Sequence, residues 1–77
     1  MPQEKIQNLR SKYNALLQEE RKLVAYLEDS AIPFDMRVKK ESELCKIANA
    51  LGGLLLEIEY AGGNYTDDEV LNGFDIV

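Results

Sequence analysis

An all-α fold is what this sequence predicts: an antiparallel hairpin of two long helices plus a short C-terminal helix, assembled as a dimeric bundle. Three observations lead there. Apolar residues recur at helical spacing through two long stretches. Pro33 stands in a short connector between those stretches. A capping signature follows a glycine pair near the end. The hairpin is expected over residues 1–61 and an acidic segment with the short helix over residues 62–77.

The first helix follows from Ile6, Leu9, Tyr13, Leu16, Leu23 and Leu27, which fit the a and d positions of a heptad. Leu17 and Val24 sit at e and widen the stripe into one suited to bundle packing rather than a two-stranded zipper. No Gly or Pro interrupts residues 3–31, so residues 3–29 are predicted helical. Glu20 occupies an a position between Leu16 and Leu23. A polar residue there fixes register in some bundles. An unpartnered buried carboxylate is costly, however, so Glu20 is expected at the boundary, reaching solvent. Gln7, Arg10, Asn14, Gln18, Arg21 and Glu28 face outward on the wheel, and Arg10→Asp is expected to do little.

The connector reads D-S-A-I-P-F-D. Pro33 suits the first turn of a helix and pushes Ile32 towards extended geometry. A second helix is predicted to start between Pro33 and Met36, with Asp35 as N-cap. Its first half is charged. Its second half is mostly apolar: Leu44, Ile47, Leu51, Leu54 and Ile58 repeat at steps of three and four, and residues 50–56 carry no charge. A helix apolar over so much of its circumference needs several neighbours, so this stretch is expected to be the most buried. Gly52 and Gly53 invite a break. Cys45, Ala48, Gly52 and Leu55 nevertheless line up as a face of mostly small residues, which favours a continuous helix with close packing there. Ala61, Gly62 and Gly63 supply a glycine C-cap.

In the remainder, Thr66 and Glu69 make the T-x-x-E pattern of a capping box, with Tyr65 and Val70 at the hydrophobic-staple positions. Asp67 and Asp68 suit the positive end of a helix dipole, and Gly73 is placed to end the helix. A third helix over residues 67–72 is predicted. Six residues are not stable alone, so Leu71, Phe74 and Ile76 must dock on the hairpin or on a partner.

Composition narrows the function classes. With 77 residues the chain makes one domain at most, and domains of this size commonly add a disulfide, a metal or a second subunit. Cys45 is the only cysteine and there is no histidine, so an intrachain disulfide is excluded and a zinc site disfavoured. No nucleophile–base pair and no phosphate-cradling glycine loop is present, so neither catalytic residues nor metal nor cofactor is expected. Residues 1–56 carry nine bases against eight acids, a balance of +1, whereas residues 57–77 carry six acids and no base. That asymmetry suggests a tail that meets a basic surface, the alternative being a simply solvated one. Asp35, Glu41 and Glu43 surround the small basic cluster of Arg37, Lys39 and Lys40, so direct nucleic-acid binding is not expected. The opening M-P-Q-E-K-I-Q-N lacks the apolar core of a signal peptide. No run approaches the ~18 apolar residues of a membrane span. A cytoplasmic location without membrane contact is expected.

The functional expectation is a non-enzymatic protein–protein interaction module that acts by stoichiometric binding. Asp67, Asp68, Glu69, Leu71, Phe74 and Ile76 are the expected partner-binding residues. Ala48, Leu51, Gly52, Leu55, Leu56 and Ile58 are the expected oligomer interface, the partner being another protein or a second copy in a homodimer. The alternative is an acidic inhibitor, phage- or plasmid-encoded, that blocks a host enzyme or defence nuclease and competes with nucleic acid.

Overall fold

The structure is a computed structural model describing residues 2–75. It contains three helices: α1 (Pro2–Leu27), α2 (Phe34–Tyr60) and α3 (Asp67–Asn72). α1 and α2 pack side by side as an antiparallel hairpin measuring 47 × 19 × 18 Å. The element order and the expected third helix match the sequence reading, and Gly52 and Gly53 lie inside an unbroken α2.

Two helix ends differ from expectation for local reasons. α1 stops at Leu27, not near residue 29. The Glu28 N–H is shared between the Val24 and Ala25 carbonyls and the Asp29 N–H bonds to Tyr26, a tightening that ends a helix. The Asp29 carboxylate then accepts from the Ala31 N–H at 2.9 Å, an Asx turn that starts the connector. α2 begins at Phe34 with Pro33, not Asp35, as its N-cap. Pro33 (φ −58°) is already set for helix entry, and its carbonyl accepts from the Arg37 N–H at 3.0 Å. Asp35 stays in the first turn, where its charge suits the dipole.

At the other end of α2, the Ala61, Gly62 and Gly63 N–H groups take up the Glu57, Glu59 and Ile58 carbonyls. Gly62 needs its freedom here, with φ +92°. At Gly63 a side chain would press on Ile58 at 2.9 Å, so the chain can turn back tightly over the hairpin.

The core consists of Leu9, Tyr13, Leu17, Leu51, Ile58 and Phe74, with Leu16, Ile47, Leu54, Leu55, Ala61 and Tyr65 packed around it. Leu51 and Ile58, expected at an oligomer interface, therefore lie inside the chain's own core. They sit on the α2 stripe that faces α1, and Ile58 has no exposed surface. Residues 50–56 are not uniformly buried: Ala50, Gly52, Gly53 and Leu56 are exposed. One neighbouring helix and a short tail cover only part of the α2 circumference. Glu20 is half-buried at the edge of the seam.

Candidate functional site

Two surfaces take up the residues singled out from the sequence. One is the C-terminal segment. Its helix is started by the expected capping box: the Thr66 hydroxyl accepts from the Glu69 N–H at 3.2 Å and the Glu69 carboxylate accepts from the Thr66 N–H at 2.9 Å. Its last carbonyls are orphans within so short a helix. They are captured by α1. The Tyr13 hydroxyl donates to the Val70 carbonyl at 2.6 Å, and the Arg21 guanidinium donates to Leu71 at 3.0 Å.

Beyond α3, Asn14 grips Phe74 on both sides, donating to its carbonyl at 2.8 Å and accepting from its N–H at 2.7 Å. The Phe74 ring meets Tyr13 edge-on at 5.3 Å, and the Arg10 guanidinium lies 5.2 Å from its centroid. Arg10 also donates to the Asn64 carbonyl at 3.2 Å. Gly73 makes the approach possible. With φ +94° it occupies a conformation that side-chain-bearing residues avoid, and a Cβ would come within 2.8 Å of Asn14.

These contacts correct two expectations. Phe74, expected on a partner, is buried against α1. Arg10, Asn14 and Arg21, expected to face solvent, form a row at steps of four and seven that holds the tail. Of the other expected partner-binding residues, Asp67 and Asp68 are exposed and Glu69 is half-buried in the capping box. Asp68 also accepts from the Asn72 side chain at 2.9 Å. Leu71 is 70% exposed. Ile76 lies outside the described residues.

The second surface is the side of α2 turned away from α1. Phe34, Val38, Leu56 and Tyr60 are 81, 49, 53 and 87% exposed. At 3.6 residues per turn they fall within an arc of roughly 80°, about 150° round from Leu51 and Ile58. Cys45 and Gly52 share that arc, and both are exposed. Nothing lies within 4 Å of a Cβ built at Gly52 or Gly53. The expected interface set thus divides. Ala48, Gly52 and Leu56 are exposed, Leu55 is half-buried against the core, and Leu51 and Ile58 are core. Phe34, Val38 and Tyr60 were missed. Their signal was present in the sequence, since 34, 38, 45, 52, 56 and 60 trace a second stripe opposite the one marked by 44, 47, 51, 54 and 58.

Between α1 and α2, on a third side, runs a shallow groove of about 480 Å³ lined by Lys12, Ala15, Leu16, Ala50, Gly53, Leu54 and Glu57. No group of three or more His, Cys, Asp and Glu side chains that could hold a metal is found among the described residues. No helix among them is long and apolar enough to cross a membrane.

Two tyrosines are perturbed. Burial, reinforced by the Glu20 charge, raises the Tyr13 phenol above its ordinary value. A hydrogen bond to Glu59 raises Tyr65. Both phenols help to seat the tail, so these shifts belong to the packing of the fold. Comparison with protein-family models, with curated proteins and with solved structures finds no match to this chain.

Proposed function

We propose that this chain is a non-enzymatic interaction module that binds another protein chain through the outer face of α2. The acid-rich surface of the C-terminal segment serves as a secondary contact. The observation that supports this reading is the exposed apolar stripe of Phe34, Val38, Leu56 and Tyr60 on a helix whose opposite side already supplies the core. Scattered surface apolar residues are ordinary, but an aligned set running the length of a helix marks a contact surface. The aromatic side chains at its ends, Phe34 and Tyr60, are of the types enriched at interfaces.

Asp67, Asp68 and Leu71 supply the secondary contact, with charge that speeds encounter and an exposed leucine beside it. An inhibitor that covers a basic groove is the form of this function in which the acidic surface would dominate.

The test is affinity capture from the source cell with the wild-type chain and with Leu56→Glu. Because Leu56 is exposed, the variant keeps its helical circular dichroism. The wild type retains a specific protein, another copy or a different chain, and the variant loses it. Equal retention by both, or retention of nothing, contradicts the reading.

A further inference from the structure

We infer that the outer face of α2 docks against the same face of a second copy of this chain, antiparallel and about a two-fold axis level with residue 47. This rests on the reading of the chain as a binding module and names the module's partner.

The stripe is nearly symmetric in size about its middle. Large residues stand at both ends, Phe34 and Val38 on one side and Leu56 and Tyr60 on the other. Smaller or polar ones lie between, Ser42, Cys45, Asn49 and Gly52, with Glu41 and Ala48 along one flank, all exposed. Antiparallel pairing centred there sets Phe34 against Tyr60 of the second copy, Val38 against Leu56 and Ser42 against Gly52. Such a contact is isologous: the same patch serves on both copies, and the two-fold closes it.

Charge selects this orientation. Residues 34–46 of α2 carry Arg37, Lys39, Lys40 and Lys46 against Asp35, Glu41 and Glu43, a balance of +1. Residues 47–60 carry Glu57 and Glu59 alone, a balance of −2. Antiparallel pairing brings the basic half of each helix to the acidic half of the other, whereas parallel pairing stacks like on like. The register adds a specific pair. Lys39 and Glu57 are 18 residues apart, five full turns, so both lie on one flank of α2. Both are exposed, and the two-fold sets each beside the other's counterpart.

Gly52 fits the same arrangement. A glycine inside a helix weakens it, and within one chain no atom occupies the space its side chain would fill. A second α2 packed along this stripe gives the position a packing reason, since the missing Cβ leaves room for the second copy's Ser42.

The experiment is sedimentation equilibrium on the full chain from about 1 to about 100 µM, with Val38→Lys, Leu56→Glu and their 1:1 mixture. The wild type sediments at twice 8.7 kDa. Each variant alone associates at least about 100-fold more weakly, because each buries an unpaired charge against an apolar residue. Unchanged helical circular dichroism shows that both remain folded. The mixture restores the dimer, since the new lysine of one chain then meets the new glutamate of the other while the remaining Leu56 and Val38 still pair. A wild type that stays monomeric through this range overturns self-pairing. So does a dimer indifferent to both variants, or a mixture that fails to reassociate. If the wild type is monomeric while capture still depends on Leu56, the binding reading stands with a different partner. If capture also fails, that reading falls as well.

Discussion

At the end of the hairpin where α1 begins and α2 finishes, six apolar side chains are buried and the tail, held by α1, packs on as a third layer. Between residues 21 and 50, towards the connector, no side chain is buried; Leu23, Leu27, Leu44 and Ile47 reach only partial cover. The two ends share the same helices and similar spacing of apolar residues. What separates them is the third element. Two helices side by side shield one stripe each and leave their flanks in water, and only a further layer completes the enclosure.

The connector end relies on polar contacts instead. Arg37 donates to the Leu27 and Asp29 carbonyls at 3.1 and 2.9 Å and ties α2 to the last turn of α1. Hydrogen bonds of this kind, one part-buried and one exposed, contribute little beside apolar burial worth about 25 cal/mol per Å². The chain is thus closed at one end and open at the other, and most of the outer α2 stripe belongs to neither core.

Substitutions that remove matched side chains from the two ends give the largest contrast. Ile58→Ala in the closed end is expected to cost about 2–5 kcal/mol, whereas Val24→Ala in the open end costs about 0.5 kcal/mol or less. Urea titration of both variants at low protein concentration measures the difference, and equal costs would mean the ends are packed alike.

Next comes the clamp on the tail. Asn14→Leu leaves the Phe74 N–H and carbonyl without their partner and is expected to cost about 1–3 kcal/mol, read as a lower denaturation midpoint. Gly53→Ala runs the other way. The added methyl meets nothing, so the helix gains roughly 1 kcal/mol of propensity and the thermal midpoint rises.

The smallest effect is in alkaline solution. Tyr13 titrates above the ordinary phenol value of 10.0 in the fold, so the folded chain holds that proton more tightly than the unfolded one. Its contribution is complete below 10.0 and is lost as pH rises through the raised value. The phenolate can no longer donate to Val70. Tyr13→Phe should therefore flatten part of the fall in urea midpoint between about pH 9 and about pH 11.

Much of this could be read from residue spacing. The inner stripes of both helices, the helix-compatible use of Pro33, the glycine turn and the Thr66–Glu69 box each rest on local rules that tertiary packing did not override. The clamp was not legible. On a helical wheel, Arg10, Asn14 and Arg21 look the same whether they face water or the carbonyls of a distant tail, because the tail has no periodicity to reveal which flank it will cover. Leu51 and Ile58 were assigned to the wrong contact for a related reason. An α2 with apolar residues on both faces does not state which face meets α1, and only the fold separates the inner stripe from the outer one. Phe74 is a similar case: the shortness of α3 requires it to dock but does not choose between the hairpin and a partner, and the positive φ of Gly73 that folds it back onto Tyr13 leaves no mark in residue spacing.

Native-state hydrogen exchange, resolved along the chain at a concentration dilute enough to leave it monomeric, tests the difference between the two ends most directly. Amides of residues 9–17 and 51–58 should exchange slowest, through opening close to global unfolding. Amides of residues 21–27 and 36–47 should exchange faster, through local fraying that leaves the closed end intact. Uniform protection along both long helices, or slower exchange near the connector, would contradict the account.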